Sequence, residues 1–128
     1  MSSFKNIFKV VGNDTPQPAP ASGGDVKSRI AADIAQNKIL IYMKGTPEQP
    51  QCGFSAATVD IFNQLGVSFA TRNVLEDPEL RQGIKVFSNW PTIPQIYING
   101  KFVGGCDIVT ELHQRNELES MVRQALGN

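Results

Sequence analysis

Cys52 is the residue whose type and position most directly predict chemistry in this sequence. It follows a loop, residues 44–51, that contains two prolines, and it precedes a segment whose apolar residues recur at helical spacing. The unpaired N–H groups and the positive dipole at a helix start favour a thiolate, and Lys44 adds a positive charge nearby. A thiolate is both the nucleophilic and the metal-binding form of cysteine. The alternative is an inert buried cysteine, which the proline-flanked loop disfavours.

Three motifs of this sequence together resemble the monothiol glutaredoxins. They are Cys52-Gly53-Phe54-Ser55 after a K-G-T-P-E-Q-P-Q loop, then W-P-T-I-P-Q at residues 90–95, then G-G-C-D at residues 104–107. The resemblance extends over about residues 26–126. Dithiol relatives carry a second cysteine where this sequence has Ser55, so the resolving thiol of a C-x-x-C pair is absent.

The resemblance implies a site for glutathione, which carries two carboxylates, an ammonium group and a thiol. Such a site needs cationic and N–H donors, one anion and a backbone edge for peptide pairing. In the family pattern, Lys44 and Arg81 bind the glycyl carboxylate, and Ile93 pairs its backbone with the cysteinyl unit. The same pattern implies that Pro94 follows a cis peptide bond.

The G-G-C-D motif supplies the other end of that site in the family pattern. The N–H groups of Cys106 and Asp107 hold the γ-glutamyl carboxylate, and the Asp107 side chain lies near the ammonium group. Gly104 and Gly105 allow the ligand to approach the backbone closely. Asp107 is equally an N-cap, and the two roles are compatible.

Other residues near these motifs keep two interpretations. Lys85 is equally well a ligand or part of a solvated helix face, and Trp90 is expected to shape its loop more than to contact a ligand. The single histidine, His113, is expected to be structural. Cys106 is either a small interior residue or a thiol close enough to Cys52 for a regulatory disulfide, a distance that sequence does not fix.

The resemblance implies that the protein binds and transfers an iron-sulfur cluster. A 2Fe-2S centre needs about four thiolates, and Cys52 provides one, so two protomers and two glutathiones complete the set as a homodimer. Scaffold proteins, recipient apoproteins and BolA-type proteins are the implied partners. The alternative is a glutathione-dependent thiol-disulfide oxidoreductase that forms a mixed disulfide at Cys52. Family members of this type are poor reductases, so that activity is expected to be weak at most.

Composition limits the class of protein. The 128 residues are 41% hydrophobic, enough for one domain with a core, and twelve basic residues balance twelve acidic ones. This balance predicts neither nucleic acid nor an anionic membrane as a partner, and no apolar run reaches transmembrane length. Two cysteines form no disulfide framework, which favours a reducing compartment, a bacterial cytoplasm first and a mitochondrial matrix second.

The elements that position these residues follow from apolar spacing and capping signals. Asp25 is expected to cap a helix that ends near Asn37, residues 38–44 form a buried strand, and the helix after Cys52 stops at Gly66. The apolar face of that helix is predicted to contain Phe54, Ala57, Thr58, Ile61, Phe62 and Leu65.

The second half of the chain predicts a strand, a helix, a hairpin and closing helices. Residues 67–74 form the strand, Asp77 caps the helix, and residues 95–103 form the hairpin. Asp107 is expected to cap the next helix, and a further turn or helix follows Asn116. This order predicts an α/β fold, a small mixed sheet flanked by helices on both faces, and the resemblance implies the thioredoxin-like form of it. Ligands of such sheets bind at the carboxyl ends of the strands.

The domain is expected to comprise residues 26–128, after a disordered extension of residues 1–25. Residues 15–24 are rich in Pro, Ala and Gly and cannot bury apolar surface. Before them, Phe4, Ile7, Phe8 and Val11 would fit a targeting presequence or a docking peptide, although the arginines of a transit peptide are missing.

We predict that removal of residues 1–25 leaves the melting temperature and glutathione affinity unchanged, because a linker of this composition joins no packed core. Thermal unfolding and titration calorimetry of the full and shortened chains provide the test. A melting temperature lowered by several degrees, or lost glutathione binding, would contradict this boundary.

Overall fold

The structure, a computed structural model, describes residues 23–127. The expected N-terminal extension lies almost wholly outside that range. Helix α1, Gly23–Gln36, begins two residues before Asp25, so the prediction that Asp25 caps this helix is wrong. Glycine is permissive enough to occupy a first helical turn, and the Gly-Gly pair therefore did not mark the boundary.

A four-stranded sheet forms the centre of the described chain. The elements after α1 are β1 Ile39–Met43, α2 Gly53–Leu65, β2 Ala70–Asn73, a 3₁₀ turn Val74–Glu76, α3 Pro78–Ser88, β3 Gln95–Ile98, β4 Lys101–Gly104, α4 Cys106–Gln114 and α5 Glu117–Leu126. The strand order is β2-β1-β3-β4, with β1 parallel to β2 and antiparallel to β3, and with β4 antiparallel to β3. The predicted mixed sheet of thioredoxin-like type is confirmed.

Two apolar cores cover the two faces of this sheet, and β1 contributes to both. Ile39, Ile41 and Met43 pack with α2, α4 and α5, whereas Leu40 and Tyr42 pack with α1 and α3. All five residues of β1 are buried, which explains why its sequence is a continuous apolar run and not an alternating one. None of the helices within residues 23–127 has the length and apolar character needed to cross a bilayer.

Most of the predicted helix ends and turns are confirmed. Gly66 ends α2 in the left-handed conformation, and Asp77 caps α3 by accepting a hydrogen bond from the Leu80 N–H at 3.1 Å. Asn99 and Gly100 both have positive φ, as a type I′ hairpin turn requires.

Three boundaries or faces differ from the prediction. Strand β2 is shorter than residues 67–74, because Val67 and Phe69 pack against the first core from a loop. Gly105, and not Asp107, precedes α4, since the chain turns into the helix directly after β4. The expected apolar face of α2 is also shifted, and Phe54 is 62% exposed. The buried residues of α2 are Ser55, Thr58, Val59, Ile61 and Phe62.

Helices α1 and α3 approach each other closely at Gly83. A Cβ atom at this position would overlap the side chain of Val26 and lie 3.6 Å from Ile30 Cδ1. We predict that Gly83→Ala destabilises the protein by about 1–2 kcal/mol. An overlap this severe costs about 2–3 kcal/mol, the upper part of the usual range for overpacking, and alanine in a helix recovers roughly 1 kcal/mol of it.

Urea unfolding followed by circular dichroism measures this change, with Gly53→Ala as the matched control. Gly53 begins α2 and has no atom within 4 Å of the added Cβ. A Gly83→Ala protein as stable as the parent would show that the two helices separate at little cost.

Candidate functional site

A cavity of about 450 Å³ opens where the chain leaves β1, beside the first turns of α2 and α4. All the predicted site residues except Arg81 line it, namely Lys44, Cys52, Ile93, Pro94, Cys106 and Asp107. These residues come from distant parts of the sequence. The structure therefore brings the three motifs together at one end of the sheet.

The cation supplied by α3 to this cavity is Lys85. Lys85 is among the lining residues, whereas Arg81, one helical turn earlier, is not. Both residues are partly exposed. Lys85 therefore lines the cavity, in keeping with the first of its two interpretations, and Arg81 lies one turn earlier on α3, outside the lining.

The loop before Cys52 is folded back on itself. Gly45 and Pro50 form an isolated antiparallel bridge, and the Gln51 N–H donates to the Lys44 carbonyl at 2.9 Å. The φ of Gly45 is +93°, and a Cβ atom there would lie 2.5 Å from a backbone oxygen. Only glycine therefore fits this turn.

The same loop is anchored to the neighbouring strand by Asn73, a residue that the sequence analysis did not single out. The Asn73 side-chain oxygen accepts hydrogen bonds from the N–H groups of Gly45 at 2.9 Å and Leu75 at 3.0 Å. At the loop tip, Thr46 and Gln49 exchange two backbone hydrogen bonds, of 3.2 and 3.1 Å. Cys52 thus follows an ordered loop that is fixed at its base.

Cys52 is the N-cap of α2, as predicted, and is partly exposed. Its pKa lies below the usual value, first because the nearby backbone N–H of Ser55 stabilises the charged sulfur, which outweighs the effect of partial burial. The Phe54 N–H, the charge of Lys44 and the Ser55 hydroxyl act in the same direction. These contacts favour the thiolate.

Ser55 connects this thiolate to the sheet. Its side chain is fully buried, and its Oγ accepts a hydrogen bond from the Lys44 N–H at 3.1 Å. A hydroxyl accepts and donates at once, so the proton of Ser55 remains available to Cys52. Sequence shows Ser55 only as the position where dithiol relatives have a second cysteine, because its partner Lys44 is eleven residues away.

The loop between α3 and β3 forms the opposite wall. The Ile93–Pro94 bond is cis, as predicted. Trp90 packs against Phe102 with ring centroids 5.5 Å apart, and a Cβ atom at Gly105 would lie 3.4 Å from Trp90 Nε1. This packing supports the expected role of Trp90 in shaping the loop.

Cys106 begins α4 with its thiol free and partly buried, and its Sγ lies 3.8 Å from Thr110 Oγ1. Cys52 is also free. His113 lies away from the cavity, where its Nε2 is 3.4 Å from Gln64 Oε1 on α2, in keeping with a structural role.

The charges around the cavity suit an anionic ligand that also carries one cation. Lys44, Lys85 and the N-terminal ends of α2 and α4 present positive potential, and Asp107 provides a carboxylate. Within residues 23–127, no group of three or more His, Cys, Asp or Glu is placed to hold a metal ion.

Comparison with known proteins agrees with this geometry. The family described as Glutaredoxin matches residues 39–103. A monothiol glutaredoxin ycf64-like protein of Synechocystis is 54% identical over 81% of this chain and 97% of its own length. The mitochondrial monothiol glutaredoxin-S15 of Arabidopsis thaliana is 45% identical over 89% of this chain and 68% of its own.

A solved structure shows the same fold at substantial identity. Reduced apo GrxS14 of poplar superposes with a TM-score of 0.71 at 43% identity, and the match covers 80% of this chain and 94% of that one. The names of both relatives describe them as monothiol, and the Cys52 motif of this chain has a single cysteine, with Ser55 at its fourth position. The chain belongs to the monothiol glutaredoxins.

Proposed function

We propose that this protein binds glutathione beside Cys52 and, as a homodimer, carries a 2Fe-2S cluster for delivery to other proteins. The observation that carries the proposal is a stabilised thiolate without a second cysteine in its motif, at the mouth of a cationic cavity. Membership of the monothiol glutaredoxins supports it.

The cavity has a group for each part of glutathione. Lys44 and Lys85 are available to the glycyl carboxylate, with Arg81 one turn further along α3. The backbone of Ile93, held before the cis bond to Pro94, offers a pairing edge to the cysteinyl unit. This arrangement would place the glutathione thiol near Cys52.

The start of α4 completes the glutathione site that we propose. Helix α4 is preceded by Gly105, which has no capping side chain, so the N–H groups of Cys106 and Asp107 are free to bind a carboxylate. The Asp107 carboxylate would pair with the ammonium group of the same γ-glutamyl unit.

The number of thiolates requires two chains and two glutathiones. A 2Fe-2S cluster takes about four thiolates, and Cys52 is the one that the cavity exposes with a lowered pKa. Cys52 and one glutathione thiol from each protomer would make four. The exposed Phe54 at the cavity mouth would then lie near the partner protomer.

We propose the functional domain to be residues 26–128 together with the start of α1, which begins at Gly23, and residues 1–22 to lie outside the functional part. Scaffold proteins that build clusters, recipient apoproteins and proteins of the BolA type are the partners that this function requires. The compartment would be reducing, a bacterial cytoplasm or a mitochondrial matrix. Relatives occur in a bacterium and, by name, in a plant mitochondrion.

A second function, removal of glutathione from protein thiols, is favoured by the lowered pKa of Cys52. The thiolate would attack the glutathione sulfur of a mixed disulfide and release the protein thiolate. A second glutathione would then attack the Cys52 mixed disulfide, leaving oxidised glutathione and the free thiolate. The ordered loop before Cys52 constrains the approach of the second glutathione, so we place this activity second.

Anaerobic reconstitution with iron, sulfide and glutathione tests the first function. We expect a coloured dimer with two irons per pair of chains, and we expect Cys52→Ser to abolish it. Cys106→Ser is the matched control and should retain the cluster, because its thiol lies beside Thr110 on α4. Lys44→Ala, Lys85→Ala and Arg81→Ala should weaken cluster retention, Arg81→Ala least.

Sizing, visible absorption and elemental analysis provide the measurements. Gel filtration without glutathione should release the cluster and return the protein to a monomer. A colourless monomer, or a cluster equally stable without glutathione, would contradict the proposal. A coupled reductase assay would then test the second function.

The thiolate itself can be tested through Ser55. We expect Ser55→Ala to raise the pKa of Cys52, because the hydroxyl that stabilises the charged form is lost. The rate of alkylation by iodoacetamide at neutral pH should fall, while the rates at high pH should converge, since both thiols are then ionised.

A Cys106→Ser background makes this measurement specific to Cys52, and Ser120→Ala on the exposed side of α5 is the matched control. Alkylation is followed by mass spectrometry across the pH range. An unchanged midpoint in the Ser55→Ala protein would contradict a contribution from the hydroxyl and leave the backbone N–H groups and the charge of Lys44 as the causes of the lowered pKa.

A further inference from the structure

Gln95 is a fully buried polar side chain that supports the wall of the cavity from behind. Residues 23–127 contain only two other buried polar residues, Ser55 and Thr58. Its Nε2 donates to the carbonyl oxygens of Trp90 at 3.1 Å and Thr92 at 3.3 Å. Both donors of one buried amide are therefore used on a single loop.

The acceptor side of the same amide is also occupied. Tyr97, two residues further along β3, donates its hydroxyl to Gln95 Oε1 at 3.3 Å. A buried amide that lost its partners would cost free energy. The two bonds from Nε2 to the loop fix the direction of the amide group, and the Tyr97 hydroxyl satisfies its acceptor. Gln95 is thus held by the sheet on one side and holds the loop on the other.

The bond to Thr92 determines which way the next N–H group points. The Thr92–Ile93 peptide is trans, since Ile93–Pro94 is the cis bond of the described chain. In a planar trans peptide the carbonyl and the following N–H point in opposite directions. A Thr92 carbonyl drawn toward Gln95 therefore turns the Ile93 N–H away from it.

That N–H group is free to bind a ligand. Ile93 lines the cavity, and its N–H donates to no backbone or side-chain acceptor among residues 23–127. Gln95 also binds the carbonyl oxygen of Trp90. The next residue there is Pro91, which has no N–H group to orient. The Thr92–Ile93 peptide is thus the group whose direction Gln95 sets.

We propose that Gln95 is a positioning residue for peptide binding, whose side-chain amide orients the Thr92–Ile93 peptide so that the Ile93 N–H faces the cavity. The inference rests on the proposed binding of glutathione, whose cysteinyl unit is the peptide group that this N–H would meet. Gln95 touches the loop and not the ligand.

Gln95→Met tests the inference, because it keeps the length of the side chain and removes both donors. Glutathione affinity, measured by calorimetry on the apoprotein, should fall about tenfold, the effect of misplacing one or two hydrogen bonds. Tyr97→Phe is the matched control, since it removes one contact of the same amide but leaves the bonds to Trp90 and Thr92 intact. Its affinity should stay within about twofold of the parent.

Fluorescence separates a change in the loop from a failure to bind glutathione. Trp90 is the single tryptophan of the sequence and lies in the loop that Gln95 holds. We expect Gln95→Met, and not Tyr97→Phe, to shift its emission and increase its quenching by acrylamide. If the parent protein bound no glutathione, the proposed function would be wrong. The emission of Trp90 in the two variants would still test whether Gln95 holds the loop.

A measurement on the parent protein covers the case in which Gln95→Met does not fold. The side-chain amide protons of Gln95 should exchange with solvent far more slowly than those of the exposed Gln82. Glutathione should also shift the Ile93 amide resonance more than that of Ile98, which lies at the far end of β3. Equal exchange of the two glutamines, or unchanged affinity and emission in Gln95→Met, would overturn the proposal.

Discussion

Strand β1 is buried along its whole length, so the chain that leaves it must find its hydrogen-bond partners in neighbouring elements. At its carboxyl end the Lys44 N–H donates to Ser55 on α2, and the Gly45 N–H donates to Asn73 at the end of β2. These two bonds fix where the loop begins and where α2 starts. Cys52 lies between them, and its position therefore follows from the way the buried strand ends.

The charge state of Cys52 depends more on the backbone N–H groups at the start of α2 than on the charge of Lys44. The largest cause of its lowered pKa is the Ser55 N–H, and the charge of Lys44 ranks below the backbone contacts. Added salt screens a charge at a partly exposed site but does not remove a hydrogen bond. The thiolate should therefore persist at salt concentrations that weaken the attraction of Lys44 and Lys85 for anions.

Local signals in the sequence predicted much of this arrangement. Cys52 at a helix start, the cap at Asp77 and the hairpin at residues 95–103 depend on neighbours within a few residues, which a sequence shows directly. Arg81 and Lys85 lie one turn apart on the same face of α3, so which of them lines the cavity depends on where the cavity falls along the helix axis. That position is a tertiary property, which the sequence does not show.

Side chains that support the site from behind were the part that sequence did not reveal. Asn73 binds a residue 28 positions away, and Ser55 binds one 11 positions away, so neither bond leaves a local pattern. Gln95 binds carbonyl groups only 3 and 5 positions away, but in the sequence it looks like any other strand residue, because its burial is not visible there. In all three cases a neutral side chain holds a backbone group, whereas the charged residues that the motifs highlight contact the cavity. The residues of the three motifs that line the cavity were therefore predictable from residue type, whereas the lining cation of α3 and the side chains that hold the backbone required the fold.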